Sequence, residues 1–202
     1  MRRFSTRTML AIASAALAAV LLIAGALLLW GSAYVHNTVQ GQLAAQQITF
    51  PPASAFAHPK AGGEITPGMI PSVSQYAGQQ LLTGQQAEAY ADHFIAQHIT
   101  DMAGGKTYSQ LSAAALAAPD NTKLQGLVAT VFKGESLRSM LLNAYGWWKV
   151  SQITYIIALA AFGLGTVAGL GSIFLAFSGR RNEGDAPQPP AGHETISPAQ
   201  TV

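Results

Sequence analysis

Two long runs of apolar residues, free of charged side chains, lie near the two ends of the chain. The first covers residues 8–34 and the second covers residues 150–177. A helix needs about 20 residues to cross the apolar core of a bilayer, so both runs are long enough to do so. The pattern therefore predicts two transmembrane helices joined by a polar segment at residues 35–149.

The polar segment carries its apolar residues at helical spacing and almost never shows the period of two that marks a strand. The clearest helix is Leu124 to Phe132, with apolar residues at i, i+3, i+4, i+7 and i+8. Asp120 is placed to cap this helix and Gly134 to end it, while residues 51–71, rich in Pro and Gly, predict a loop without regular structure. The predicted fold class is all-α, with two transmembrane helices forming a hairpin and a small helical domain between them.

Basic residues beside the two runs predict the orientation, because Lys and Arg concentrate on the cytoplasmic side of membrane proteins. Those that flank the runs at their terminal ends are Arg2, Arg3, Arg7, Arg180 and Arg181. Three basic residues precede the second run and oppose this bias, but the first helix usually dominates. We therefore expect a bacterial plasma membrane protein with both termini in the cytoplasm and the helical domain outside. Residues 1–7 form its basic N-terminus, and the proline-rich residues 178–202 are expected to be a disordered tail.

The N-terminal run has a competing interpretation as a cleaved signal peptide. Residues 31–33, with the sequence Gly-Ser-Ala, offer the small side chains that a cleavage site requires. However, the apolar core of a signal peptide is about 7–15 residues long, and this run is longer. Its length favours a helix that stays in the membrane.

Aromatic residues mark the ends of both runs on the side predicted to face outward. They are Trp30, Tyr34, Trp147 and Trp148. Trp and Tyr are enriched at the level of the lipid headgroups, since their rings are apolar and their N–H or O–H groups are polar. We predict that these four residues lie at the membrane–water interface.

Small residues at four-residue spacing in the second run predict close contact with another helix. They are Ala161, Gly165 and Gly169. The facing surface belongs either to the first run or to a second copy of the chain. The candidate residues for that surface on the first run are Ala11, Ala15 and Ala19.

The composition argues against several kinds of chemistry. The chain contains no cysteine, which rules out thiol catalysis, disulfides and thiolate metal sites. Neither apolar run holds an ionisable residue, the usual mark of an ion or proton pathway. A transporter acting alone is therefore disfavoured, and a subunit of an oligomeric transporter or channel is the first alternative. No basic stripe with interleaved aromatic residues is present, so a nucleic-acid partner is not expected.

Histidines and carboxylates come close together in the sequence at Asp92, His93, His98 and Asp101. Five-residue spacing places the two histidines about 140° apart around a helix, so they do not share a face. A solvated helix surface explains these residues better than a metal site, and we predict no metal, no cofactor and no catalytic residue. A membrane-anchored enzyme or metal-binding protein that uses His98 and Asp101 is the second alternative.

Two segments of the chain resemble a family of uncharacterised two-pass membrane proteins from actinobacteria. They are YAGQQLLTGQQAEAYADHFIAQHITDMAGGKTYSQLSA, residues 76–113, and NAYGWW, residues 143–148. The resemblance covers most of the chain apart from its tail and implies the same two-pass topology, without assigning chemistry to either segment. Similar sequences sometimes carry an aromatic ring-opening dioxygenase label. We do not adopt it, because non-haem iron in such enzymes needs two histidines and a carboxylate around one metal.

The sequence therefore favours a non-enzymatic integral membrane protein with an accessory, scaffold or envelope-interaction role. The hypothesis depends on the missing catalytic and transport signatures and on two apolar helical faces, Leu124 to Phe132 and Leu137 to Trp148. Its expected contacts are the lipid bilayer and another membrane or envelope protein, or a second copy through the small residues.

Overall fold

The protein is all-helical across the part of the chain that the computed structural model describes, residues 6–183, with side chains as far as residue 178. Its helices are α1 (Thr6–Ala45), α2 (Ile70–Val73), α3 (Gly84–Ala89), α4 (Ala96–Met102), α5 (Tyr108–Ala117) and α6 (Thr122–Glu183). Within this range a single antiparallel bridge, between Thr49 and Gln80, is the only β pairing. The predicted all-α class is confirmed for these residues.

Two of these helices, α1 and α6, are long and apolar enough to cross a membrane. They contain the predicted runs at residues 8–34 and 150–177 and extend well beyond them. Arg2, Arg3 and most of the predicted tail lie outside the described residues, and only positions 178–183 of that tail are seen, as the end of α6. Arg180 and Arg181 belong to that helical backbone, and their side chains are outside the description.

The chain divides into two compact units. The central unit is Gly25–Ala160, and the terminal unit combines Met1–Ala24 with Ala161–Val202. Both long helices contribute to both units.

The central unit has an apolar core to which each helix from α1 to α6 contributes at least one side chain. The fully buried apolar side chains include Phe50, Met69, Val73, Leu81 and Val131. Burial of one such side chain stabilises the fold by about 1.5–3 kcal/mol relative to exposure. Since the unit has no disulfide, this packing provides most of its stability.

Residues 51–71 are more ordered than their composition predicts. Ala53–Phe56 and Pro67–Met69 form 3₁₀ turns, and Ile65 and Met69 are buried in the core of the central unit. The prediction of a loop without regular structure is wrong at these turns. Proline fixes φ near the helical value and is tolerated at the first position of a helical turn, as Pro67 is here.

The segment from α3 to α4 is one continuous helical stretch whose middle, Tyr90–Ile95, is π-helical. Thr83 caps its start, with its hydroxyl accepting a hydrogen bond from the Gln86 backbone N–H at 3.2 Å. The stretch ends at Gly104 and Gly105, whose positive φ angles of 59° and 76° suit glycine. Glycine adopts positive φ at no steric cost, so two consecutive glycines readily end a helix.

Helix α6 departs from the sequence predictions at two points. Its first turn is capped by Asn121, whose side-chain oxygen accepts a hydrogen bond from Leu124 N–H at 3.1 Å, and not by Asp120. The helix also continues through Gly134 instead of ending there. Gly134 faces Ile99 so closely that a Cβ would lie 2.8 Å from the Ile99 Cδ1 atom. Glycine is needed here for close packing and not for a turn.

A second close approach joins α3 to α6 at Gly84. A Cβ added to Gly84 would overlap Cβ and Cγ of Trp148, which are held near their own backbone and have little freedom to move. Both Gly84 and Trp148 are buried. The start of α3 is therefore positioned directly against the Trp148 side chain.

We predict that Gly84→Ala lowers the free energy of unfolding by about 1–3 kcal/mol, the usual cost of overpacking a core. The matched control is Gly126→Ala in α6, where a Cβ meets no atom within 4 Å. That change should be neutral or stabilise by up to about 1 kcal/mol, because alanine favours helix more than glycine does. Thermal unfolding followed by tryptophan fluorescence in detergent measures both. Equal melting temperatures for Gly84→Ala and the parent would contradict the packing described here.

Candidate functional site

The predicted catalytic and metal-binding candidates are engaged with neighbouring groups on their own helices. The Nδ1 atom of His98 lies 2.8 Å from the Phe94 carbonyl oxygen, which can only accept a hydrogen bond. Asp101 accepts a hydrogen bond from the Gln97 side-chain amide at 3.0 Å. In the part of the chain that the structure describes, no three His, Asp or Glu side chains come together as a metal site. His98 and Asp101 are thus not assembled into a reactive group with each other.

Asp92 joins the π-helical segment to α6 through an ion pair with Arg138. The Arg138 Nη2 and Nε atoms donate to one Asp92 carboxylate oxygen at 2.8 and 3.2 Å. This hydrogen bonding raises the pKa of Arg138, with a smaller contribution from Glu135. Both side chains of the Asp92 pair are about one-third exposed, so solvent screening limits its value to at most about 1 kcal/mol. The ion pair therefore orients the π-helical segment against α6 and adds little to the free energy of unfolding.

A row of aromatic rings packs through the central unit. Its members, in order of contact, are Tyr76, Phe50, Tyr90, Phe94 and His98, with neighbouring centroids 4.6–5.3 Å apart. Burial raises the pKa of the Tyr90 phenol, and the negative charge of Glu64 raises it further. The row is best understood as core packing, because Phe50 belongs to the buried core and Tyr76, Tyr90 and Phe94 pack against that core.

In the terminal unit, Gly165 and Gly169 lie against α1. A Cβ on Gly165 would be 3.1 Å from Leu22 Cγ and 3.2 Å from Leu21 Cβ, and one on Gly169 would be 3.7 Å from Ala18 Cβ. The two glycines predicted to form a packing surface therefore contact the first run of the same chain. Ala161, the third member of the predicted set, is half-buried.

The face of α1 used in this contact differs from the Ala-rich face proposed from sequence. Ala15 and Ala19 are exposed, whereas Ala18 is only 5% exposed. The carbonyl oxygen of Ala11 accepts a hydrogen bond from the Ser172 hydroxyl at 2.8 Å. Ala11 and Ala18 are seven residues apart, the repeat of two packed helices, while positions 11, 15 and 19 drift around the helix.

In the central unit the same two helices meet at buried serines that sequence reasoning did not single out. The Ser32 hydroxyl donates to the Ser151 carbonyl oxygen at 2.7 Å, and the Ser151 hydroxyl donates to the Trp148 carbonyl oxygen at 2.7 Å. A signal was present in the sequence as small residues repeating every seven positions. On α1 these are Ala11, Ala18, Gly25 and Ser32, and on α6 they are Ser151, Ala158, Gly165 and Ser172.

The four aromatic residues predicted at the membrane interface fall into two groups. Trp30, Tyr34 and Trp147 are 70%, 62% and 53% exposed, and the first two rings stack 5.9 Å apart. Trp148 is only 5% exposed and packs on the His36 ring, with centroids 4.0 Å apart. The Trp148 ring therefore packs inside the protein, and its depth relative to a membrane stays a prediction. Its indole N–H has no hydrogen-bond partner among the residues described.

Beside the Trp148–His36 contact lies a cavity of about 450 Å³ in the central unit. It is lined by Ser32, Ala33, His36, Ser151, Gln152, Tyr155 and Ile156. The side chains of His36, Gln152 and Tyr155 form no hydrogen bond within the described part of the molecule. We call it the serine–histidine cavity. It has the polar groups and the apolar wall of a small-molecule site but no lysine, arginine or carboxylate side chain.

A second feature is an exposed apolar face on α6, formed by Phe132 and Met140. Phe132 is 55% exposed and Met140 is 70% exposed, and both line a hollow of about 410 Å³ with Tyr108 of α5. The Tyr108 and Phe132 rings are 5.6 Å apart. Large apolar side chains exposed next to one another are typical of a surface that contacts another molecule.

Comparison with known proteins yields no match to a family, to a curated protein or to a solved structure. Any functional conclusion therefore depends on the sites themselves and on the exposure of the two long helices.

We predict that the double variant Ala18→Cys/Gly169→Cys forms a disulfide within one chain. A Cβ at position 169 would be 3.7 Å from that of Ala18, within the range that disulfides require. The parent chain has no cysteine, so no other thiol competes. The control, Ala19→Cys/Gly169→Cys, places one thiol at an exposed position and should remain reduced. Thiol alkylation followed by non-reducing electrophoresis distinguishes the forms. A covalent dimer from the first variant would instead show that a second copy fills the groove.

Proposed function

We propose that the protein is a two-pass membrane hairpin that displays its helical domain outside the cytoplasm and acts as a non-enzymatic accessory or scaffold subunit. One observation carries the proposal: in the most apolar 18-residue stretch of each long helix, only 11% of the residues are buried within the protein. Those stretches have little packing of their own, and a bilayer is the environment that would cover them.

The size of the exposed surface makes water an unfavourable environment. Leu27, Val167 and Phe174 are 64%, 69% and 71% exposed, and many neighbours on both helices are similar. Removing one such side chain from water is worth about 1.5–3 kcal/mol, so exposure of both helices would be strongly unfavourable in solution. Soluble monomers rarely expose large apolar side chains in so long a series.

The backbone and three serine hydroxyls of the two runs also suit an apolar surrounding. Continuous helices satisfy the backbone N–H and C=O groups within each segment, as a bilayer requires. The hydroxyls of Ser32, Ser151 and Ser172 all donate to backbone carbonyls. About 20 residues of each helix separate its two interhelical serine contacts, which matches the length needed to cross a bilayer.

The orientation and the role rest on separate arguments. The arginines at the termini favour a cytoplasmic location for both ends, which would place the central helices and their exposed faces outside. The apolar face of Phe132 and Met140 is then available to a partner. Because it lies on the same helix that enters the membrane, the partner we propose is another membrane protein with a helix that extends beyond the bilayer.

We predict that a membrane-impermeant maleimide labels Ser109→Cys in intact cells. Ser109 is exposed on α5, and the otherwise cysteine-free chain makes the label specific. The control, Ser197→Cys near the C-terminus, should react only after the cells are permeabilised. The protein should also remain in the membrane after carbonate extraction. Labelling of Ser197→Cys alone in intact cells would refute the orientation, and release by carbonate would refute the membrane hairpin.

We predict that purification in mild detergent retains one stoichiometric membrane partner and that Phe132→Ser/Met140→Ser removes it. Both side chains are exposed, so the substitutions remove apolar contact area from a partner without opening the core. The control is Leu116→Ser, which changes a side chain that is 81% exposed on α5. Mass spectrometry of the purified complex gives the stoichiometry. A wild-type chain that purifies alone, or a double variant that keeps the partner, would contradict the accessory role.

A further inference from the structure

The serine–histidine cavity has polar groups whose hydrogen-bonding capacity the protein does not use. The hydrogens of the Ser32 and Ser151 hydroxyls are already donated to carbonyl oxygens. In contrast, the imidazole of His36, the amide of Gln152 and the phenol of Tyr155 have no hydrogen-bond partner within the described chain, and all three can donate. The cavity therefore offers several donors to an incoming acceptor.

The charge and the apolar walls of the cavity restrict that acceptor. None of the lining side chains is a carboxylate, lysine or arginine, so no ion pair would compensate a charged ligand for lost hydration. The nearest lysine along α6, Lys149, has its ammonium 5.6 Å from the Tyr145 ring. Ala33 and Ile156 complete the lining, and Ile156 is 65% exposed on the apolar surface of α6. A neutral carbonyl group attached to an apolar chain matches this combination.

We propose that the serine–histidine cavity binds the ester carbonyl region of a membrane glycerolipid, with an acyl chain continuing along α6 past Ile156. This inference rests on the proposed insertion of both helices in a bilayer. Ester carbonyls lie just inside the headgroup level, the depth at which Trp30, Tyr34 and Trp147 are expected. A volume of about 450 Å³ accommodates the glycerol ester region of one lipid.

Contacts within the central unit hold the wall of the cavity in place. His36 packs on Trp148 with a centroid separation of 4.0 Å, and Trp148 is in turn held against Gly84 at the start of α3. A donor fixed before the ligand arrives loses less conformational entropy on binding than a free side chain. Lipid bound here would contact the same His36 ring that packs against the domain, so occupancy would also stabilise the domain.

The test measures retention of lipid by the full chain, purified in mild detergent and incubated with a defined probe. One arm uses a diacyl phosphatidylcholine, and another uses its diether analogue, which has the same headgroup and chains but no ester carbonyl. A third arm uses a lipid-soluble benzoquinone, which carries carbonyls on a ring. Native mass spectrometry counts the molecules bound. We expect about one diester lipid per chain and binding of the diether at least about tenfold weaker, since two or more hydrogen bonds are lost.

Two variants connect the binding to the cavity. Ala33 lines the cavity and is exposed, so a leucine there should occupy the cavity without disturbing the core. We expect Ala33→Leu to reduce retention of the diester lipid about tenfold or more. Gln152→Leu removes one hydrogen-bond donor, so the ratio of diester to diether lipid bound should decrease. The control is Ala26→Leu, at an exposed position of α1 that does not line the cavity. An unchanged melting temperature for Ala33→Leu shows that the variant is folded.

Three results would overturn the lipid site. They are equal binding of diester and diether, equal binding by Ala33→Leu and the parent, and retention of the quinone in place of the diester. A chain that resists carbonate extraction and shows any of these refutes the lipid site alone. A chain released by carbonate refutes the membrane hairpin as well, so the two failures are distinguishable.

Discussion

Close contact between α1 and α6 at small residues is the interaction on which the rest of the structure depends. In the terminal unit, Gly165 approaches Leu21 and Leu22 so closely that a side chain would crowd them. In the central unit, Ser32 reaches the backbone of Ser151. Between lipid-exposed helices the hydrophobic effect offers little attraction, so small residues and interhelical hydrogen bonds would provide the contact in the proposed bilayer.

The short helices of the central unit pack against the same two helices through Trp148. This residue of α6 is buried between His36 of α1 and Gly84 of α3. It therefore connects the start of α3 to both long helices. Its indole N–H is buried and has no partner among residues 6–178, a cost of about 1–3 kcal/mol that the packing of the large ring offsets. The serine–histidine cavity lies beside this contact, which is why the proposed ligand and the domain share one side chain.

The amino-acid sequence by itself determined the helical class and the two long apolar runs. These are local properties, set by side-chain periodicity and backbone preference within a few residues. The sequence also identified Gly165 and Gly169 as packing residues, because small residues at four-residue spacing can be recognised from the sequence alone. The seven-residue repeat of small residues was equally visible and would have indicated Ala18 in place of Ala15.

Tertiary structure alone decided which neighbours these residues meet. Gly134 has the low helix propensity of glycine, yet it lies within α6, where Ile99, distant in sequence, leaves no room for a Cβ. The serine–histidine cavity was equally hidden, since its walls come from two helices more than a hundred residues apart in the chain. Trp148 ends the predicted apolar face that begins at Leu137, but only the structure shows that His36 and Gly84 pack against its ring. Whether a side chain is buried depends on the residues that pack against it, and those residues come from distant parts of the chain.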